Sequence, residues 1–157
     1  MEAALRTAYF LLNGKNMEKV ELSQMRGLEG VKVAEIPING KKIRIAVAHG
    51  LNHVEYVLDK VREAEKNNTE MPYHFIEVMA CLGGCVGGGG QPYGVTDELR
   101  TKRAAGIYQD DKDHKLRCSH ENPFVQQLYK EFLGKPLGEK SEALLHTHYH
   151  ARPVYVK

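Results

Sequence analysis

Two stretches in the first half of the chain space apolar residues three and four positions apart, as an amphipathic helix does. The first, Met1 to Lys15, contains Gly14 just past its periodic run, and glycine is suited to stopping a helix. The second, Asn52 to Lys66, opens on a side chain that can cap a first turn. We predict a helix over each stretch, with Asn52 as N-cap. The apolar positions are Ala4, Leu5, Ala8, Leu11 and Leu12, then Val54, Val57, Leu58, Val61 and Ala64.

Three shorter stretches have the pattern of β-strands. Val31 to Ile38 and Lys42 to Ala48 alternate apolar and polar residues, and Asn39-Gly40 between them is a frequent hairpin turn. The third stretch, Phe75 to Ala80, is mostly apolar and predicts a short strand buried on both faces. Because the second predicted helix lies between the last two strands, the order strand, helix, strand predicts a right-handed parallel crossover.

The second half of the chain predicts helices and turns. Its elements, in order, are a helix at Thr96 to Asp111 capped by Thr96, a turn at Ser119 to Pro123, a helix at Pro123 to Leu133, a break at Gly134 to Gly138 and a last helical turn at Ser141 to Leu145. Strands and helices together predict an α/β fold, with a mixed sheet flanked by helices and followed by a C-terminal helical wrap.

The composition narrows the functional classes. At 157 residues the chain has the length of one domain, which we divide into a sheet lobe at 1–95 and a helical segment at 96–157. A formal net charge of +2 gives no argument for nucleic acid or for an anionic membrane. No apolar run is long enough to span a membrane, and the start lacks the pattern of a secretory signal. Three cysteines, an odd number, do not form a disulfide framework, so metal binding in a reducing cytoplasm is favoured.

A glycine-rich loop carries the candidate chemistry. Cys81 and Cys85 follow the third predicted strand directly, and six of the eight residues from Gly83 to Gly90 are glycine. Glycine loses much conformational freedom on folding, so such a run needs a reason. Close approach of the backbone to a metal centre is one, because successive N–H groups can then point at a negatively charged cluster. A nucleotide site is excluded, since neither a dinucleotide fingerprint nor a P-loop can be drawn through the run.

The segment Phe75 to Pro92 resembles the third cluster-binding motif of the FeFe-hydrogenases. Its matching positions are Glu77, Met79, Cys81, Gly84, Cys85, Gly88, Gly89, Gly90, Gln91 and Pro92. Leu82 departs from the pattern, in which proline is more usual after the first cysteine. The resemblance covers nearly the whole chain, because it continues through Met1 to Arg6, Arg103, Ile107-Tyr108, Asp110, Arg117 to Pro123, Leu128-Tyr129, Phe132-Leu133 and Leu144 to Tyr149.

The resemblance implies roles for the loop. Cys81 and Cys85 would be the metal ligands of a 4Fe-4S cubane, and soft thiolates suit such a cluster. Cys85 would also be catalytic, as the bridge to the attached two-iron unit that completes the H-cluster. Met79, the second catalytic candidate, would pack beside that unit, although the sequence alone equally allows a core-filling methionine. The residues expected to bind the cofactor are Gly84, Gly87, Gly88, Gly89 and Gln91.

The resemblance also implies a function and a deficit. The chain would be the second lobe, with the C-terminal wrap, of a catalytic domain that reversibly combines two protons and two electrons into hydrogen. A cubane ordinarily takes four cysteines, and the family's first two motifs, which supply two of them, a proton-relaying cysteine and a lysine, are not in this chain. We therefore expect a partner chain to complete the site and ferredoxin or NAD(P)-linked subunits to exchange electrons. Otherwise the chain is a split or truncated fragment without activity of its own.

Two other functions remain open. Iron–sulfur assembly and prelamin-recognition factors share parts of the third motif, although the segment Leu144 to Tyr149 favours the hydrogenases. A non-catalytic structural or sensory subunit is the second alternative.

Some residues with metal-binding side chains are interpreted as structural. Cys118 is predicted to be a packed or surface thiol, and Glu77 a hydrogen-bonding group on the strand. The C-terminal histidines could bind zinc or nickel from an extended tail, but we interpret them as a tether. They are His146, His148 and His150.

Overall fold

The computed structural model describes residues 1–151 and 153. The chain divides into two units, Met1–Arg117 and Cys118–Lys157. The first unit contains a three-stranded sheet and three helices, and the second contains helices only among its described residues. No helix in this described part of the chain is long and apolar enough to cross a membrane. The predicted boundary between residues 95 and 96 concerns a larger domain and stays a prediction.

Helix α1, Glu2–Asn13, forms from the apolar periodicity at the start of the chain. Gly14 ends it in the left-handed region, with φ 70°, where glycine has no steric cost. The predicted helix and its stop are thus confirmed. Only part of the predicted stripe is buried: Leu5 lies in the core, whereas Leu11 and Leu12 are exposed.

Strands β1, Val31–Ile38, and β2, Lys41–His49, pair antiparallel and confirm the predicted hairpin. Asn39 and Gly40 both adopt positive φ, 49° and 75°, as a two-residue turn requires to match the twist of the strands. The buried residues of β1 are those at even positions, so Lys32 faces the protein interior.

Helix α2, Leu51–Lys66, leads from β2 to β3, Phe75–Met79, which runs parallel to β2. The sheet order β1-β2-β3 places β2 in the centre and confirms the mixed sheet. The predicted N-cap at Asn52 is wrong. The N-cap is Gly50, because its φ of 87° turns the chain from the end of β2 directly into the helix.

Strand β3 is not buried on both faces, contrary to the prediction. Phe75 and Val78 are 55% and 52% exposed. Among the described strands β3 pairs with β2 alone, so it forms an outer edge of the sheet and its apolar side chains are only partly covered.

The core lies on the two faces of the sheet. One face packs with α1 and the segment after it, and the other packs with α2, so helices flank the sheet as predicted. The buried residues of the first face are Leu5, Met25, Ala34, Ile36, Ile38, Ile45 and Val47, and those of the second are Ala46, Ala48 and Val57.

Helix α3, Asp97–Asp113, starts at the predicted cap, since the Leu99 N–H donates to Thr96 Oγ1 at 3.2 Å. In the second unit, α4, Pro123–Leu128, continues into a π-helical turn, Tyr129–Leu133. Together these two cover the single helix predicted there. The last helix, α5, Glu139–Leu145, begins two residues before the predicted turn.

Candidate metal centre

The segment Cys81–Pro92, here called the cysteine loop, leaves the carboxyl end of β3. The end of β3, from which the loop leaves, is tied to the start of α2, because the Gly50 N–H donates to the Met79 carbonyl at 2.8 Å. A Cβ on Gly50 would lie 3.0 Å from Cδ2 of Leu82, so Leu82 packs over the start of α2. In open α/β sheets ligands are usually found at this end of the strands.

Two consecutive glycines turn the loop between the cysteines. Gly83 and Gly84 have φ of 77° and 72°, a conformation that other residues rarely adopt. The Gly84 N–H donates to the Cys81 carbonyl at 3.0 Å, and the Gly88 N–H donates to the Cys85 carbonyl at 3.1 Å. Each cysteine therefore sits at the first position of a tight turn that is closed by a glycine.

Close packing explains some of the glycines but not all. A Cβ on Gly84 would lie 2.7 Å from Met79 Sδ, and a Cβ on Gly87 would lie 2.3 Å from the Leu82 carbonyl oxygen. Both positions therefore require glycine within this chain. Gly89 has no atom within 4 Å of its Cβ position, so nothing in the described residues accounts for it. The cofactor-binding roles of Gly84, Gly87, Gly88, Gly89 and Gln91 stay predictions.

The two thiols fit half of the ligand set of a cubane. Cys81 and Cys85 are exposed, and a Cβ on Gly88 would lie 3.9 Å from Cys81 Sγ and 3.3 Å from the Cys85 carbonyl oxygen, so Gly88 lies close to both cysteines. Among residues 1–151 and 153 no group of three or more histidine, cysteine, aspartate or glutamate side chains could hold a metal. Cys118, in the second unit, is buried. The donor set thus offers two thiolates to a cluster that needs four.

Met79 lies at the wall of a cavity of about 370 Å³ beside the cysteine loop. Gly84 and Cys85 line the same cavity, so the thioether is next to the loop rather than deep in the core. This position is compatible with the predicted role of Met79, which stays a prediction.

Three polar side chains that the sequence did not single out as a group reach the same cavity. Lys32, Val47 and Glu77 lie side by side across the strands, and His49 pairs with Met79 one step further along. Lys32 and His49 are buried. The alternation of β1 could have identified Lys32 from the sequence, because the even-numbered residues of this strand form its buried face and Lys32 is one of them.

Burial governs the ionisation of these groups. Desolvation lowers the pKa of Lys32, although Glu29 and Glu77 oppose the shift; Lys32 Nζ donates to the Met25 carbonyl at 3.3 Å. Desolvation, and secondarily the charge of Lys32, lowers the pKa of His49. His49 is therefore neutral at pH 7, and its Nδ1 has no hydrogen-bond partner within the described residues. The Met1 ammonium donates to Glu77 Oε1 at 3.3 Å.

Helix α3 also contacts the cysteine loop. Arg103 Nη1 donates to the Val86 carbonyl at 3.1 Å, and its Nη2 donates to the Pro92 carbonyl at 3.4 Å. Arg100 packs against the same loop, since a Cβ on Gly83 would lie 3.0 Å from Arg100 Cδ.

An ionic cluster around the buried Arg6, with half-buried partners, anchors α3 to α1. Arg6 donates from Nη1 to Asp111 Oδ1 at 2.7 Å and from Nη2 to Glu2 Oε2 at 3.1 Å. Arg117 donates to Asp111 Oδ2 at 2.6 Å, and Arg26 donates to Glu2 Oε1 at 2.6 Å. Hydrogen bonds from Arg6 and then Arg117 hold the pKa of Asp111 well below its usual range, against the opposing effect of burial. The cluster fixes the helix that supports the loop.

Two family sequence models match the chain in succession. The family described as iron only hydrogenase large subunit, C-terminal domain, matches residues 1–89. The chain belongs to the iron-only hydrogenase family. A second family, described as iron hydrogenase small subunit, matches residues 97–152. Cys81 and Cys85 lie inside the first match, and α3 lies inside the second.

Curated relatives include several hydrogenases. An NADP-reducing hydrogenase subunit from Solidesulfovibrio fructosivorans is 48% identical over 153 residues, covering 97% of this chain and 25% of the relative. Iron hydrogenase 1 from Clostridium pasteurianum is 40% identical, covering 95% of this chain and 26% of the relative. The chain thus spans about a quarter of these relatives. A human nuclear prelamin A recognition factor is also similar, at 32% identity over 141 residues.

Solved hydrogenase structures share the fold. An apo variant of an FeFe-hydrogenase from Chlamydomonas reinhardtii superposes with a TM-score of 0.74 at 37% identity, covering 95% of this chain and 43% of that one. Another variant from the same alga superposes with a TM-score of 0.73 at 38% identity, again over 95% of this chain. The predicted α/β class and the predicted family are both confirmed.

Proposed function

We propose that this chain is the C-terminal half of an FeFe-hydrogenase catalytic domain, with its sheet lobe at 1–95 and its helical segment at 96–157. The reaction would be the reversible combination of two protons and two electrons into hydrogen. The observation that carries the proposal is the cysteine loop: two exposed thiols, each at the start of a glycine-closed turn, at the carboxyl end of a strand. The family match and the hydrogenase relatives support it.

Each residue of the loop has a role in this proposal. Cys81 and Cys85 would hold the 4Fe-4S cubane, and Cys85 would also hold the attached two-iron unit. When bound, these groups would supply electron transfer and the chemistry of hydrogen. Met79 would exclude water from the cavity beside Cys85, and Gly84 would leave room for its sulfur. The predicted binding residues Gly87, Gly88, Gly89 and Gln91 would let the backbone approach the group closely; they are proposed as a set with Gly84.

A second polypeptide segment is required, because the chain offers two of the four thiolates. We propose that a partner chain carrying the family's other two motifs completes the centre. The exposed apolar residues of β3, Phe75 and Val78, support such a partner, since they would otherwise face water. Electron exchange with ferredoxin or NAD(P)-linked subunits in the cytoplasm completes the proposal. The relative named as an NADP-reducing hydrogenase subunit supports the second of these.

The alternative is a homologue that serves iron–sulfur assembly, sensing or structure without making hydrogen. Its support is the similarity to a rat cytosolic iron-sulfur assembly component, 30% identical over 154 residues and covering 96% of this chain. The hydrogenase relatives match at higher identity, 48% and 40%, and favour the first proposal.

An infrared spectrum separates these functions. The chain would be affinity-tagged and purified without oxygen from its native host, together with whatever binds it. Carbonyl and cyanide stretching bands, lost in Cys85→Ser and kept in Cys118→Ala, are the expected result for a hydrogenase. Iron without these bands would favour the assembly or sensory alternative. Absence of both iron and a partner would overturn the enzymatic proposal.

A further inference from the structure

The guanidinium of Arg103 donates hydrogen bonds to the cysteine loop at two separate points. Its donors reach the carbonyls of Val86, at 3.1 Å, and of Pro92, at 3.4 Å. These two residues flank the glycine run that follows Cys85. A planar guanidinium presents its N–H groups in a fixed fork, so one side chain restricts both ends of the run at once.

Within the described residues, the glycines after Gly88 have few other restraints, whereas the first half of the loop is packed. Besides the bonds within its 3-10 helix, Gly84–Gly87, three hydrogen bonds between backbone groups close turns of the loop, donated by Gly84, Gly88 and Gln91. Gly89 and Gly90 have open space around their Cβ positions, so no packing restrains them. Because glycine backbones are conformationally free, a loop of this composition needs an external restraint to keep a single geometry.

Arg100 fits the loop from the same helix. Its aliphatic part packs on Gly83, and a Cβ on Gly87 would lie 2.9 Å from Arg100 Nε. That Nε is buried without a hydrogen-bond partner in the described part of the chain, and Nη1 donates to Asp97 on the same helix, so Arg100 contacts the loop by packing. The glycines at 83 and 87 leave the space that this arginine occupies.

The helix that carries both arginines is itself fixed. Thr96 caps its first turn, and Asp111 near its end is held by Arg6 and Arg117. A side chain projecting from such a helix can act as a rigid support for a flexible loop. The support lies in the segment that matches the small-subunit family, whereas Cys81 and Cys85 lie in the large-subunit match.

We propose that Arg103 is a positioning residue, which holds the cysteine loop so that Cys81 and Cys85 present their thiolates in one arrangement. The proposal deepens the proposed function, because it names what shapes the metal-binding loop. It does not depend on hydrogen chemistry, since a loop that binds iron for another purpose would need the same restraint. The small-subunit-like segment thereby acts on the metal centre through α3.

Hydrogen–deuterium exchange on the purified full chain tests the restraint. In Arg103→Leu the amides from Gly83 to Gly90 should exchange about tenfold faster or more, because two hydrogen bonds from a charged group are lost. Amides of β2 should keep their rates. The matched control is Arg62→Leu, an arginine on α2 that pairs only with Asp59 in the described structure and is 66% exposed. Exchange in the loop at the wild-type rate would overturn the proposal.

Cadmium binding tests the consequence for the thiols. Cd²⁺ alone is the probe, because two thiolates bind it without any cluster assembly. We expect Arg103→Leu to weaken the affinity about tenfold, Arg62→Leu to leave it unchanged and Cys81→Ser to abolish tight binding. Equal affinity in Arg103→Leu and the wild type would contradict the positioning role.

A conservative variant keeps the test valid if Arg103→Leu does not fold. Arg103→Lys keeps the charge but offers one compact donor group, so its loop exchange and Cd²⁺ affinity should lie between those of the wild type and Arg103→Leu. A lysine variant indistinguishable from the wild type would overturn the two-point grip, even if the leucine variant unfolds. If the wild type shows the infrared bands but Arg103→Leu leaves the exchange of the loop amides unchanged, this inference alone is contradicted. If Arg103→Leu speeds up that exchange but the wild type shows iron without the bands, the proposed function alone is contradicted.

Discussion

At the scale of single residues, Gly84 shows how tightly the end of β3 and the cysteine loop fit together. Its φ of 72° lies in the left-handed region, and a Cβ there would come within 2.7 Å of Met79 Sδ. A side chain at this position would therefore bring both backbone strain and a steric clash. The loop geometry between the cysteines depends on this residue having no side chain.

We predict that Gly84→Ala lowers the free energy of unfolding by about 1–2 kcal/mol, measured by urea denaturation. Gly90→Ala is the matched control, because its Cβ position is open and its φ is not in the left-handed region, and it should change stability by less than about 0.5 kcal/mol. Adding Met79→Ala should recover only the steric part. Equal effects of the two glycine substitutions would show that the loop is not packed as described.

At the scale of elements, apolar periodicity predicted most of the helices and strands. It failed where contacts between distant segments determine which face of an element is buried. The helices and strands of the first unit were predicted within a few residues, because amphipathic patterns are local. The orientation of β1 was not: Val33 is exposed and Lys32 is buried. Cys81 and Cys85 were found from their glycine surroundings, but the grip of Arg103 was not, because it joins residues 17 positions apart.

The ionic cluster that joins α1 and α3 makes a second prediction, which concerns the pH dependence of stability that Asp111 causes. The folded state lowers the pKa of this carboxyl, so the unfolded chain takes up the proton first as pH falls. Its stabilising contribution is therefore complete above the ordinary carboxyl pKa of about 4 and is lost as pH falls below it. Asp111→Asn should cost about 2 kcal/mol at pH 7, since it leaves Arg6 buried without its main charge partner.

Denaturation curves from pH 2 to 7 would check this prediction. The wild type should lose more stability towards acid than Asp111→Asn, whose side chain does not titrate. Asp110→Asn is the control: its carboxylate is 76% exposed, and the change should stay within about 0.5 kcal/mol. Parallel acid limbs in the wild type and Asp111→Asn would refute the assignment of this dependence to Asp111.

At the scale of the whole molecule, the chain exposes apolar side chains of the kind that a protein core normally covers. It spans about a quarter of its curated hydrogenase relatives, at 25% and 26% of their lengths. Apolar residues that would suit a core are exposed on β3 and on α1, notably Phe75, Val78, Leu11 and Leu12. The prediction that β3 is buried on both faces was wrong at Phe75 and Val78. The partner chain of the proposed function would cover these apolar side chains.

The edge of β3 is where that polypeptide should bind. Because the cysteine loop leaves the carboxyl end of β3, a segment seated against this strand would bring its own residues next to Cys81. We predict that Val78→Lys weakens binding of the co-purifying chain at least tenfold, since it places a charge in an apolar contact. Val33→Lys is the matched control on the opposite outer strand, where valine is 46% exposed. Titrations followed by light scattering would measure both affinities, and equal losses would place the partner elsewhere.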